Sequence, residues 1–340
     1  MDHPAKLNSL LRPRVLLAVS LIVGLAFLPL IANLVDNLFL IRVGMRIMIL
    51  SIAALSLNVI LGYGGMVSLG HAAFIGIGAY VVAILNWHLS NGEPLLSWPI
   101  VIEGSANAAV VAPIAIAISA MGALVIGLIS LRTSGLYFIM ITLAFAQMLY
   151  YVAIAFQKYG GEDGTQLLEP IRLGAAALNN RLLLYYIVFA ALLIVLLLVD
   201  RLVGSRFGRV LQGCRQNERR LEAVGYRTFH YKLVAFVFAG AIAGAAGVLL
   251  AASQQFVNPA DLAWSRSGEL VIMLVLGGVG TLFGPVFGAA LYVVLELVLG
   301  SWTTHWQIIF GPIFIFFVLF VRGGIARLID LPLGWRGRHA

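Results

Sequence analysis

The sequence predicts an all-α, polytopic membrane protein with about ten transmembrane helices, and three observations lead to this prediction. Hydrophobic residues make up 61% of the 340 residues and charged residues only 11%, whereas a soluble domain carries roughly a quarter charged residues. Apolar runs of about 20 residues, enough for a helix to cross a bilayer, recur along the chain. Lys and Arg gather in one long polar segment between such runs, as in the cytoplasmic loops of membrane proteins.

The first predicted span, 15–35, follows Lys6, Arg12 and Arg14. A signal peptide begins with similar charges, but its apolar core is only about 7–15 residues long. We therefore expect this run to remain in the protein, with its N-terminus in the cytoplasm. The next predicted spans are 43–61, 67–87, 108–131, 135–156, 182–199 and 233–252, and the last is 308–321.

Ahead of the last span lies the stretch 268–299, which we expect to hold two short helices rather than one. Its middle, 276–285, contains four glycines and a proline, residues that interrupt helices. Each half spans only about 16 residues, so one half is allowed to re-enter the membrane instead of crossing it. Two helices also give an even number of crossings, which a cytoplasmic C-terminus requires. That location is predicted by the basic residues after the last span, Arg322, Arg327, Arg336 and Arg338.

The loops sort by charge on this ten-span plan, within a single membrane domain covering 1–340. The 86–107 connection contains Glu93 and Glu103 but no Lys or Arg, so it is predicted to face outward. The connections 157–181 and 253–267 fall on the same side and are predicted to be periplasmic loops. The segment 204–232 falls on the opposite, cytoplasmic side.

The polar segment from Asp200 to Lys232 carries eight of the chain's 22 Lys and Arg residues. Its apolar residues recur at helical spacing on one face, which predicts an amphipathic helix. Gly208 and Gly213 weaken that helix, so two short helices fit as well as one. Such a helix can rest on anionic lipid headgroups or dock a soluble partner, and composition alone favours the lipid bilayer. The predicted apolar face consists of Phe207, Val210, Leu211, Cys214, Leu221, Val224 and Gly225.

Two glycine-rich interruptions at membrane depth, 62–72 and 277–284, indicate a transport pathway. Non-helical backbone is tolerated inside a membrane only where protein or water covers it. Glycines also simply allow helices to pack closely, and the spacing favours neither reading. Polar side chains at this depth mark functional positions by default, although Glu296, near a span end, is equally explained as a structural carboxylate. The candidate pathway residues are Asn58, Gly64, Gly65, Ser68, His71, Gln147, Gly277, Gly278, Gly280, Thr281 and Glu296.

The sequence contains no pattern typical of catalysis, metal binding or ATP hydrolysis. Its lysines are Lys6, Lys158 and Lys232, and none closes the Gly-x-x-x-x-Gly-Lys loop that holds nucleotide phosphates. A single cysteine and the lack of a His-Glu-x-x-His motif argue against zinc. Ser68 and His71, three residues apart in a glycine-rich segment, are weak evidence for a nucleophile and its base. The net charge of +8 is explained by the basic cytoplasmic loop, so nucleic acid is not an expected partner.

The turn 160–164 presents Glu162 and Asp163 among glycines in a predicted outer loop. Two carboxylates can bind calcium, but the ligand spacing of an EF-hand is absent. The pattern therefore favours a turn exposed to a partner.

Several motifs occur in the order found in a known family of membrane proteins. Glu222-Ala223 followed by Gly225 resembles the Glu-Ala-Ala–Gly motif through which bacterial importer permeases contact their ATPase, with Val224 where Ala is common. From about Ile52 to Leu299 the chain resembles the M-type permease subunits of branched-chain amino acid ABC importers, the LivM family. The other motifs that carry this resemblance lie at 57–58, 61–65, 68–74, 78–80, 135–138, 142–145, 160–164, 208–211, 217–219, 231–236 and 277–285.

This resemblance implies the ABC importer permease fold and a transport function. The chain would pair with a second, H-type permease, and two cytoplasmic ABC ATPases would bind ATP-Mg, so no cofactor is expected in this chain. A periplasmic solute-binding protein would dock at Glu162 and Asp163 and deliver Leu, Ile or Val across the inner membrane of a bacterium. The residues implied to contact an ATPase are Arg215, Glu218, Arg219, Arg220, Glu222, Ala223 and Gly225.

Two alternatives remain open at the level of sequence. Proteins that share this resemblance also carry urea, short amides or other amino acids, so the substrate is not fixed by these motifs. A transporter of another class, an ion-coupled secondary transporter, would use Glu296 and His71 as proton sites and would need no ATPase.

Overall fold

A computed structural model of the chain describes residues 13–34, 36–94, 104–173, 176–177, 180–321 and 323–324. These residues form eleven α-helices, which confirms the all-α prediction. Glu103 and the basic residues at both chain ends, from which the orientation was predicted, lie outside the described side chains. The helices are α1 Pro13–Leu34, α2 Leu38–Asn58, α3 Ala72–Asn91, α4 Ala108–Ser130, α5 Leu136–Ala155, α6 Arg181–Gly204, α7 Arg206–Ala223, α8 Thr228–Gln254, α9 Trp264–Gly277, α10 Gly284–Trp302 and α11 Trp306–Phe320.

Seven of these helices are long and apolar enough to cross a membrane: α2 with the π-helical turn Val59–Tyr63 that extends it, α3, α4, α5, α6, α8 and α10. Among the remaining described helices, α9 has 14 residues and α11 has 15, and the apolar part of α1 is Ser20–Ala32. The polytopic prediction is therefore confirmed. The ten predicted spans correspond to every described helix except α7, with α1, α9 and α11 shorter in apolar length.

Two glycine-rich interruptions have different consequences for the helix boundaries. The stretch 268–299 divides into α9 and α10 around a break at 278–283, as predicted, with Gly278 and Gly280 at φ values of 121° and 78°. The prediction of a continuous span 67–87 is wrong in its first turn, because residues 64–71 are non-helical and α3 begins at Ala72. Gly65 has a φ of 71°, a conformation that ends a helix and costs glycine little.

The core is organised around α8 and α2. Helix α8 packs against α3 and α4, while α2 packs against α6, α8, α9 and α10. Small residues allow the closest crossing: a Cβ at Gly78 of α3 would overlap the carbonyl oxygen of Gly244 of α8, and one at Gly247 would overlap the carbonyl of Ile75. Close approach through small residues is how membrane helices gain packing energy without a hydrophobic driving force.

The connections gather at two ends of the helix bundle. At one, here called the loop end, strand β1 (Thr165–Gln166) pairs antiparallel with β4 (Phe256–Val257), so the loops 157–181 and 253–267 are joined. Two further strands, β2 (Arg172–Leu173) and β3 (Ala176–Ala177), pair within the first loop. The Asn86 side chain of α3 donates to the Glu169 carbonyl at 2.7 Å. The opposite end carries α7 and is called the α7 end.

We expect Gly78→Ala to destabilise the folded protein by about 1–3 kcal/mol, because the added methyl group meets backbone that has no room to move. The matched control is Gly300→Ala in α10, where a Cβ has no neighbour within 4 Å and alanine favours the helix by up to about 1 kcal/mol. Thermal unfolding in detergent should show a lower midpoint for the first variant and an equal or higher one for the second. Equal midpoints for both variants would contradict the close crossing of α3 and α8.

Candidate functional site

Helix α7 forms a structured unit with defined ends. Ser205 caps its start, because its Oγ accepts the Gly208 backbone N–H at 3.2 Å. Asn217 interrupts it with φ −161° and ψ 98°, and the Asn217 side chain accepts the Arg220 N–H at 3.0 Å, as a new N-cap does. Gly225 ends it at φ 95°. The sequence left open whether this segment is one helix or two. In the structure it has two helical halves, and the break between them falls at Asn217 rather than at a glycine.

One face of α7 is seated on the membrane helices. Gly208, Leu211 and Cys214 are buried, and α7 packs against α6, α8 and the π-helical turn. Burial raises the pKa of the Cys214 thiol above its ordinary value. The predicted apolar face is wrong at its C-terminal end: Val224 is 71% exposed and Gly225 is also exposed. The kink at Asn217 turns these residues away from the seat.

The second half of α7 is tied to the start of α8 by two polar contacts. Lys232 Nζ lies 2.5 Å from Glu218 Oε1, and the Thr228 hydroxyl donates to Glu222 Oε1 at 2.8 Å. Among the residues predicted to contact an ATPase, Glu218 is thus half-buried in an ion pair and Glu222 is exposed but bonded. The remaining exposed members of that set are Arg215, Arg219, Arg220, Ala223 and Gly225.

Beneath α7 the two glycine-rich interruptions meet at a junction. Asn58, fully buried at the end of α2, donates from Nδ2 to the Thr281 carbonyl at 2.8 Å and accepts the Gly280 N–H at 2.9 Å. Arg215 of α7 donates from Nη1 to the Gly62 carbonyl. A Cβ at Gly62 would overlap Asn58 Oδ1, so the glycine is required by this contact. The structure therefore brings Asn58, Gly280 and Thr281 of the predicted pathway set together.

The other predicted pathway residues surround this junction at greater distances. His71 and Ser68 are fully buried: His71 Nε2 lies 2.8 Å from Ser56 Oγ, and Ser68 Oγ accepts the Gly70 N–H at 3.3 Å. Neither bond joins the two residues as a nucleophile and its base. Within the described part of the chain, His71 Nδ1 and Gln147 Oε1 are buried without a hydrogen-bond partner. Of the remaining glycines, Gly64 packs near Leu211 of α7 and Gly277 against the Gly284 carbonyl.

Glu162 and Asp163 are exposed at the loop end. Gly160, Gly161 and Gly164 around them have positive φ values, so the turn depends on glycine at these positions. Within the described residues, no group of three His, Cys, Asp or Glu side chains is placed to hold a metal ion.

Comparison with known proteins is consistent with this arrangement. Residues 39–320, from α2 to α11, match the family model described as branched-chain amino acid transport system / permease component. The chain belongs to this permease family. The permease is 26% identical over 302 residues to the high-affinity branched-chain amino acid transport system permease protein LivM of Salmonella typhimurium (strain LT2), and shows the same identity to LivM of Escherichia coli (strain K12). Each alignment covers 82% of the permease and 68% of the relative.

A third relative aligns over a shorter part of the chain. The permease is 30% identical over 139 residues to the probable branched-chain amino acid transport permease protein LivM of Methanocaldococcus jannaschii, with 39% of each chain covered. No solved structure gives a significant match. The expected likeness to LivM-type permeases is confirmed, and the family consists of transport components rather than enzymes.

Toward the loop end of the permease lies a cluster of charges of which the sequence analysis identified only Glu296. Arg46 of α2 contacts both carboxylate oxygens of Glu296 of α10, at 2.8 and 2.9 Å. Arg266 of α9 lies 2.6 Å from Glu269 and 3.4 Å from Asp261. Burial raises the pKa of Asp261, and the nearby Arg266 opposes that rise. Arg46 could have been found, because a charge inside a predicted apolar span needs a partner.

Glu296 therefore lies away from the junction of α2 with the α9–α10 break. Arg46 precedes Asn58 by 12 residues on one helix, which separates the two positions by about 18 Å. The ion pair ties α10 to α2, and its side chains are only 35% and 21% exposed. The structural reading of Glu296, left open by the sequence, is the one this contact supports.

We expect Glu296→Gln to destabilise the permease by about 1–3 kcal/mol, because Arg46 then keeps its charge in a half-buried site without its carboxylate. The double variant Arg46→Gln/Glu296→Gln should recover most of that loss. The control is Lys158→Gln, which removes the exposed Lys158–Glu93 pair and should change the unfolding midpoint little. A double variant that is stable yet inactive in uptake would instead place Glu296 in the transport pathway.

Proposed function

We propose that this permease is the membrane-spanning subunit of an ATP-driven importer for the branched-chain amino acids Leu, Ile and Val. It forms the translocation pathway together with a second, H-type permease. The observation that carries the proposal is α7, which is seated by one face on the membrane helices and exposes Arg219, Arg220 and Glu222. In a chain without a nucleotide-binding loop, such a helix suits docking by a separate ATPase.

The proposed orientation follows from charge. The α7 end carries eight of the 22 Lys and Arg residues between Asp200 and Lys232, so it is placed in the cytoplasm with both termini. Two ABC ATPases that bind ATP-Mg engage this end. A solute-binding protein docks at the periplasmic loop end, where Glu162 and Asp163 are exposed. The membrane is the inner membrane of a bacterium.

Alternating access is the proposed mechanism. Closure of the ATPases on ATP shifts α7, and the shift favours one facing of the membrane helices over the other because the two facings make different contacts. The break between α9 and α10 supplies helix ends inside the bundle, and helix ends attract the charged groups of a zwitterionic amino acid. The substrate class rests on the relatives, which are branched-chain amino acid permeases.

The alternative of a proton-coupled transporter is less well supported by the contacts. Glu296, its first proton site, is held in an ion pair in which Arg46 contacts both carboxylate oxygens. His71, the second, is fully buried against Ser56.

The coupling role of α7 is tested with Glu222→Lys in a complex of both permeases, the ATPases and the binding protein, reconstituted in liposomes. We expect substrate-stimulated ATP hydrolysis and uptake to fall on the order of tenfold or more, as for loss of a coupling contact. The matched control is Thr228→Val, which removes the hydroxyl that bonds Glu222 without changing charge and should leave uptake close to wild type.

Two results would contradict the proposal. Normal uptake and ATP turnover by Glu222→Lys would remove α7 from coupling. Wild-type uptake that persists without ATP and stops when the proton gradient is collapsed would assign the permease to the ion-coupled class.

A further inference from the structure

Arg215 differs from the other arginines of α7 in where its guanidinium ends. Arg209 and Arg219 are exposed, and within the described residues their side chains form no hydrogen bond or ion pair. Arg215 instead reaches back into the membrane helices and donates to the Gly62 carbonyl. We propose that Arg215 is the positioning residue that transmits movement of α7 to the α9–α10 break, rather than a contact for the ATPase. This inference rests on the proposed function.

The side chain of Arg215 lies in a slot made by glycines from both interruptions. A Cβ at Gly65 would come within 2.7 Å of Arg215 Cγ, and a Cβ at Gly280 within 3.2 Å of Arg215 Nη1. Both glycines have positive φ values, 71° and 78°, which a larger residue adopts only with strain. The slot leaves Arg215 exposed overall, but it contacts both the stem and the head of the side chain, so a displacement of α7 is passed to both glycine segments.

The chemistry at the end of the slot suits an arginine. Gly62 lies in the last turn of the helix that extends α2, where carbonyl oxygens lack a donor from the following turn. The helix dipole places partial negative charge at the same point, which favours a cation. The guanidinium presents its donors in a rigid plane, so the contact is fixed in direction.

From Gly62 the connection continues to the break. Asn58, one turn earlier on the same helix, holds Thr281 and Gly280 through its amide. Displacement of Arg215 therefore pulls on the end of α2, and Asn58 carries that pull to the segment between α9 and α10. A cavity of about 210 Å³ beside this path, lined in part by Gly64, Gly65 and Arg215, leaves room for the movement.

The experiment compares wild type, Arg215→Met, Arg215→Lys and Arg209→Met in the complete reconstituted complex. We expect Arg215→Met to bind the ATPases and to keep basal ATP hydrolysis within about twofold of wild type, as exposed substitutions usually do. Uptake and substrate-stimulated ATP hydrolysis should both fall on the order of tenfold. Arg215→Lys, which keeps a cationic donor, should regain part of this loss, and Arg209→Met should match wild type.

Two further measurements separate transmission from a merely structural role. Cys214, the only cysteine in the sequence, is buried beside Arg215, so its reaction with a maleimide should stay as slow in Arg215→Met as in wild type if α7 remains seated. The double variant Asn58→Ala/Arg215→Met should show about the same uptake as the single variant with the lower uptake, because both residues act in one connection. Independent effects would multiply instead.

The outcomes distinguish this inference from the proposed function. A wild-type complex without ATP-dependent uptake overturns the proposed function itself. If the wild type is active, normal uptake by Arg215→Met overturns the inference, and so does loss of ATPase binding, which would make Arg215 a docking contact. Rapid labelling of Cys214 in Arg215→Met also overturns it, since Arg215 would then only hold α7 in place.

Discussion

The structure depends on one constraint: backbone polar groups at membrane depth must find partners within the protein. The chain leaves helical geometry at 64–71 and at 278–283, and side chains from elsewhere in the bundle bind backbone groups in or beside both places. Asn58 binds Gly280 and Thr281 within the second break, and Arg215 binds the helix end before the first. Because Asn58 and Gly62 lie one turn apart, the two interruptions are joined at this point.

This junction explains the position of the glycines and of α7. Gly62, Gly65 and Gly280 line the meeting point: a Cβ at Gly62 would overlap Asn58, one at Gly65 would overlap Arg215, and one at Gly280 would pack tightly against Arg215. Leu211 and Cys214 bring α7 against the same place, so the amphipathic helix is seated on protein by its apolar face rather than only on lipid. Composition alone favoured docking on the lipid surface, because composition shows the charge and periodicity of the helix but not which partner its apolar face contacts.

Much of the fold could be predicted from the sequence, since a helix in lipid must be long and apolar and these runs are visible directly. The division of 268–299 was predictable because its glycines and proline interrupt an otherwise continuous run. The start of α3 at Ala72 was predicted only in part: the glycine-rich interruption at 62–72 indicated a break, whereas the predicted span 67–87 ran through it. The boundary depends on contacts with distant helices, such as the close approach of Gly70 to the Thr142 backbone. Arg46 was overlooked for a related reason: its partner, Glu296, is 250 positions away.

The sequence allowed α7 to be two short helices, which is what the structure shows, but it attributed the break to Gly208 and Gly213 instead of Asn217. Gly208 is buried at the seat and Gly213 lies against Leu221, so both glycines serve packing within helical backbone. Asn217 makes the break, because its side chain can restart the helix by accepting the Arg220 N–H. The kink exposes the Glu222-Ala223 motif and Gly225, while Lys232 and Thr228 keep that half attached to α8.

The α9–α10 hairpin is held to α2 by different chemistry at its two ends. Near the α7 end the contact is made by the neutral amide of Asn58, and Arg215 of α7 binds the same helix end. Toward the loop end the contact is the ion pair between Arg46 and Glu296, which no residue of α7 contacts. An amide contact exchanges its hydrogen bonds at modest cost, whereas separating a half-buried ion pair costs more. On the proposed mechanism, movement of α7 therefore acts first on the weaker attachment, and the hairpin pivots about the stronger one.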